Sequence, residues 1–185
     1  VAQVTVTPET FTLVQFDGDA IARVVGELAD RLGLPDEQEV RVEVDEEAIL
    51  GRTEVRGLDP ITLWTQGGAI EDDKRPRQVS EPGVAGAVGI LLVEARDRLD
   101  EGFGAPPLDE QLDIALFVAW QVHSAGRLAA LGYPSQHDRR QYHFRNRHGF
   151  TDVGDRSFAR LWSPEPLTFE QIRGLSDTAR AAQPA

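Results

Sequence analysis

Residues 114–122, Ile-Ala-Leu-Phe-Val-Ala-Trp-Gln-Val, are apolar at every position but one. A helix drawn through them is apolar nearly all round, and such a helix has to be surrounded by other elements. Asp109 offers an N-cap, and Gly132 followed by Pro134 offers a stop, so the expected helix covers residues 109–131. At 1.5 Å per residue it is roughly 34 Å long. The rest of the fold is expected to form around it.

Upstream, the hydrophobic periodicity changes repeatedly. Val4 and Val6 alternate with threonines before Pro8, the pattern of an edge strand. Ile21, Val24, Val25, Leu28 and Leu32 recur at helical spacing between an Asp17 cap and Gly33-Leu-Pro35. Val40, Val42 and Val44 alternate with Arg41, Glu43 and Asp45, which predicts a strand with one wet face. Thr53 to Arg56 can pair briefly, and Ile61-Thr-Leu-Trp-Thr predicts another strand. Residues 71–78, EDDKRPRQ, read as a charged surface loop. Ser80 caps a further helix with Pro82 in its first turn and Gly83, Gly86 and Gly89 along it. Those glycines match neither G-x-G-x-x-G after a strand nor a Gly-Lys-Ser/Thr loop, so they predict close helix packing instead of a phosphate cradle. Near the C-terminus, Thr168-Phe-Glu-Gln171 is a capping box, with Leu167 and Ile172 placed to staple it. The expected fold is α+β: one domain over residues 1–185, a small, mostly antiparallel sheet and about four helices, the 109–131 helix central.

Chemistry concentrates in residues 121–150, which hold all four histidines: His123, His137, His143 and His148. Residues 1–122 carry 10 basic and 25 acidic groups, whereas residues 123–160 carry 7 and 3. Residues 135–140 are expected as a loop, 141–145 as a strand and 146–149 as a turn. Asp152 to Asp155 reads as another loop. The candidate binding residues are His137, Arg139, Arg140, His143, Arg145, Arg147 and His148, with His123 and Arg127 on one face of the 109–131 helix. Guanidinium groups interleaved with Tyr142 and Phe144 suit a phosphate or carboxylate, held through bidentate bonds. The same arginines can instead pair with the acidic half of the chain.

Other chemistries lack their residues. With no cysteine there is no disulfide, thiolate ligand or cysteine nucleophile. The spacings of the four histidines match no zinc pattern, so no metal or other cofactor is expected. No G-x-S-x-G elbow is present, and adjacent His123 and Ser124 point about 100° apart on a helix. A net charge of −12 disfavours nucleic acid, and no apolar run reaches the ~20 residues of a membrane span. Among the basic residues only Lys74 is lysine, the bias of a GC-rich bacterial genome. A soluble, cytoplasmic protein is expected.

The order helix, strand, long loop, Ile-Thr-Leu-Trp strand and helix over residues 19–101 resembles the small bacterial zincin-like proteins. In that family the last of these helices carries H-E-x-x-H. Here the corresponding stretch, Leu92-Val-Glu94-Ala-Arg-Asp97-Arg, has no histidine. The resemblance therefore implies a related fold without the metal. Functionally, the expectation is a non-enzymatic binding or regulatory module for a small anion or a protein partner. The alternatives are a hydrolase using the clustered histidines, with or without metal, and a purely structural interaction protein.

Overall fold

A computed structural model describes residues 2–184. Strand β1 (Gln3–Thr7) leads through helix α1 (Gly18–Arg31) to β2 (Glu39–Asp45), and the two strands pair in parallel. A helix between neighbouring strands is what parallel pairing requires. Strand β3 (Thr53–Leu58) turns back at Asp59-Pro60 into β4 (Ile61–Gln66), and these two pair antiparallel. Strand β4 then inserts beside β2, parallel to it, so the order is β1-β2-β4-β3. The sheet is therefore mixed, with two parallel pairs and one antiparallel, where a mostly antiparallel sheet was expected. The four strands of this sheet lie where their residue patterns predict strands; which strands become neighbours depends on long-range pairing that alternation does not encode.

The alternation sets the sheet's two faces. Val40, Val42 and Val44 stand in register with Ile61, Leu63 and Thr65, and all six are buried. Helix α1 packs its buried Ile21, Val24, Val25 and Leu28 within this unit, together with α2 (Glu81–Leu99). Their caps are local. Asp17 Oδ1 accepts from the backbone N–H of Asp19 and Ala20, and Ser80 Oγ accepts from that of Gly83. On the wet face, the Arg56 guanidinium lies 4.2 Å from the Trp64 ring centre and within 3.5 Å of both Glu43 and Glu54 carboxylates. Residues expected as a charged loop form a small hairpin, β5 (Glu71–Asp72) and β6 (Arg75–Val79), closed by Asp72 accepting from the Lys74 and Arg75 N–H groups.

The rest is helical. Helix α3 (Ile114–Ala130) is shorter than expected, because Asp113 supplies its cap and Asp109–Gln111 forms a separate single turn. It packs against α4 (His137–His148), α5 (Asp152–Trp162) and α6 (Phe169–Ala181). Phe103, Trp120 and Phe169 form one aromatic cluster, and Phe144, Phe158 and Trp162 another. Thr168 and Gln171 complete the capping box of α6 reciprocally. The class is α+β, with six helices among the described residues instead of about four. These elements group into two compact units, Val1–Leu99 and Asp100–Ala185.

Candidate functional site

The expected 141–145 strand and its flanking loop and turn are a single helix, α4, running from His137 to His148. Two of its residues, Phe144 and His148, are buried, and they lie four apart on one face. The other positions are polar, so the apolar stripe is only one residue wide and its period is faint. The 152–155 loop is likewise the first turn of α5, where the Thr151 hydroxyl accepts from the Gly154 N–H.

This helix disperses the histidines. His148 is fully buried and stacks on Phe144, ring centres 3.9 Å apart and nearly coplanar. Its Nδ1–H donates to the Phe144 carbonyl at 3.1 Å, so Nε2 is the acceptor and takes the Ser176 hydroxyl at 2.8 Å. A serine hydroxyl on a histidine nitrogen is the geometry of a nucleophile and its base. Here both side chains are sealed from solvent, and the other ring nitrogen is spent on a main-chain carbonyl. The pair ties α4 to α6 and offers no access to a substrate.

His123 is equally buried. Its Nδ1–H donates to the Leu161 carbonyl at 2.9 Å, and its Nε2 accepts the Leu167 N–H at 3.3 Å. It thus satisfies backbone groups at the end of α5 and just before α6, a structural task. Arg127, one turn further along α3, is half-buried. His137 packs edge-on against Phe158 and Trp162, with Nδ1 3.0 Å from Asp138 Oδ1. His143 is exposed beside Tyr142. Among the described residues no group of three or more His, Asp or Glu side chains is arranged to hold a metal ion.

The arginines separate into two sets. Arg145 makes a bidentate pair with Asp155, both bonds 2.8 Å, and Arg140 Nε donates to the Ser135 carbonyl. The Arg145 carboxylate partner is held below its usual range chiefly by that hydrogen bond, and the guanidinium is raised in turn. Arg139, His143 and Arg147 instead fall at every fourth position along α4, all three exposed. Arg139 donates to the Gln136 side-chain oxygen at 3.3 Å. Tyr142 and Phe150, 58% and 66% exposed, flank this stripe with rings 6.4 Å apart. The structure therefore brings together Arg139, His143 and Arg147 and separates them from His123, Arg127 and His148. Sequence reading missed the aromatic Phe150; its place directly after Gly149 was the available signal.

No protein-family model, no curated protein and no solved structure matches this chain.

The sealed His148 carries a testable consequence. Burial depresses its pKa below 6.5, reinforced by the Arg180 charge and opposed by the Phe144 carbonyl, Asp113 and Asp177. The unfolded chain therefore binds a proton that the folded chain refuses. The stabilisation is fully present above the unfolded value, about 6.5, and is lost as pH falls toward the depressed folded value. Thermal melts between pH 7 and pH 5 are expected to show this loss, and His148→Gln to flatten it while lowering stability at pH 7. Parallel pH slopes for the two proteins would remove His148 from the explanation.

Proposed function

We propose that this protein is a non-enzymatic binding module that recognises an acidic segment of a partner protein through the exposed face of α4. The observation that carries the reading is the Arg139, His143, Arg147 stripe with its two exposed aromatic rings. Positions four apart on a helix are about 6 Å apart along its axis, so Arg139, His143 and Arg147 form a ladder instead of a single pocket. A ladder suits carboxylates repeating along a partner better than one small anion, which needs convergent donors. Arg145 and Arg140, two of the four arginines offered for a small anion by the sequence, are already engaged within the protein. Tyr142 and Phe150 would supply the large rigid contact area typical of interface anchors.

The zincin-like resemblance of residues 19–101 fits this reading, because it implies a fold whose catalytic metal motif is gone. For the hydrolase alternative, the serine–histidine pair formed by His148 and Ser176 is closed to solvent. Nucleic acid is disfavoured by charge: the protein is −12 overall, and phosphate neutralisation dominates that kind of binding.

The test uses a labelled amphipathic peptide with glutamate at every fourth position and, in parallel, single- and double-stranded oligonucleotides, at about 0.15 M salt. Arg139→Glu/Arg147→Glu is expected to weaken the peptide about tenfold or more, since each lost pair becomes a like-charge contact. Both substitutions are on the surface and should leave stability within about 0.5 kcal/mol. Oligonucleotide binding that is micromolar and falls steeply with salt would overturn the reading in favour of a nucleic-acid surface.

A further inference from the structure

Strands β1, β2 and β4 run parallel, so the segments that follow them emerge at one end of the sheet. Ligand-binding surfaces of α/β sheets gather at the carboxyl ends of parallel strands. At this end stand three of the protein's most exposed aliphatic side chains: Ile49 at 85%, Leu50 at 68% and Leu13 at 51%. A single exposed leucine needs no explanation, but two adjacent ones on a fixed backbone do.

The backbone beneath them is held on both sides. The Glu46 carboxylate accepts the N–H groups of Thr12 at 2.9 Å and Leu13 at 2.7 Å, joining the segment after β1 to the one after β2. Chiefly through the Leu13 bond, its pKa is held below the usual range, so the anion persists at neutral pH. Gly68 N–H donates to the Ala48 carbonyl, and Arg52 and Gln66 exchange hydrogen bonds across the loop's far end. The carbonyl oxygens of Ile49 and Leu50 sit only 2.0 and 2.4 Å from where a side chain on Gly68 would begin. Only glycine permits that approach. The loop is thus clamped against the β4 turn with its two aliphatic side chains directed away from the core.

The two segments that carry the patch are rich in carboxylates: residues 8–17 and 45–52 contain Glu9, Asp17, Asp45, Glu46 and Glu47 against Arg52, and Arg77 lies alongside, its carbonyl accepting the Gln15 N–H. We propose that Leu13, Ile49 and Leu50 form a docking surface for a short segment of a partner protein in which aliphatic side chains are flanked by lysine or arginine. The aliphatic groups supply burial, and the rim selects a basic partner over an acidic one. Three side chains fall well short of the roughly 1,000 Å² of a stable protein interface, so the partner segment is small and its exchange fast. This surface rests on observations separate from those at α4, and its partner has the opposite charge.

The test is NMR titration of the full chain with a synthetic peptide of two leucines flanked by three lysines on each side. Amide shifts confined to residues 12–15 and 46–52 are expected. Ile49→Asp/Leu50→Asp adds two negative charges at exposed positions, so it separates the two forces. Docking of aliphatic groups predicts about tenfold weaker binding despite the added attraction. Binding that is unchanged or tighter in this variant would show attraction to acidic surface alone and overturn the proposal. So would shifts centred elsewhere, or the same amides shifting on dilution of the protein alone, which would make a second copy the occupant. The same amides shifting with zwitterionic lipid vesicles but not with peptide would assign the patch to membrane and equally overturn it.

Discussion

Trp120→Ala is expected to destabilise residues 100–185 by about 3–5 kcal/mol, the range for deleting a large buried aromatic. Trp120 is fully buried and is the ring that Phe103 and Phe169 share, at 5.4 Å from each. Phe103 lies on the segment before α3 and Phe169 opens α6, and the Phe169 N–H donates to the Phe103 carbonyl at 2.9 Å. Removing the indole therefore leaves a cavity lined by two rings whose backbones are already bonded together and have little freedom to collapse into it. Urea denaturation followed by helical circular dichroism measures the loss. A midpoint shift equivalent to less than ~0.5 kcal/mol would mean that Trp120 is peripheral to the core.

The second large effect is expected at Gly126, and its sign runs against local preference. Replacing a helix-interior glycine by alanine ordinarily stabilises by up to ~1 kcal/mol. In α3, a methyl group at this position would sit 2.0 Å from the Trp162 carbonyl oxygen and 2.9 Å from the Trp162 Cα. Both are backbone atoms at the end of α5, so the whole helix end has to move. Gly126 lies three residues after His123, on the same face, and His123 donates to the adjacent Leu161 carbonyl. Displacing α5 would lengthen that bond as well. Gly126→Ala is therefore expected to destabilise by about 1–3 kcal/mol or more, as overpacking does. Gly174 in α6 serves as the control, because nothing lies within 4 Å of the position its side chain would take. Gly174→Ala should be neutral or stabilising, and equal behaviour of the two variants in thermal melts would contradict the close approach.

Whatever short-range physics governs was readable from the residues. The α1 cap at Asp17 and the capping box of α6 rest on contacts within a few residues, and the Val40-Val42-Val44 alternation and the Ile61 strand announce themselves by local side-chain pattern. Each is formed as its pattern predicts. Helix α4 was misread because only Phe144 and His148 of its twelve residues are buried. With so narrow a stripe, intrinsic propensity and docking against α3 decide the conformation, and docking is invisible in the sequence. The same limit applies to the sheet, where β4 came to lie beside β2 through a pairing between distant residues.

The candidate site divides along the same line. Residue types and net charge marked 137–148 as the cationic part of an acidic chain, and that follows from composition alone. Which of the histidines and arginines face outward was decided by tertiary structure. Arg145 found Asp155, and His123 and His148 were drawn inside to satisfy backbone carbonyls and a serine, leaving Arg139, His143 and Arg147 on the exposed face. A buried polar group must find a partner or pay the cost of desolvation, and its partners here lie up to 44 residues away along the chain. Spacing along the sequence records which groups are available, whereas only the packing of α3 to α6 determines which of them are used up.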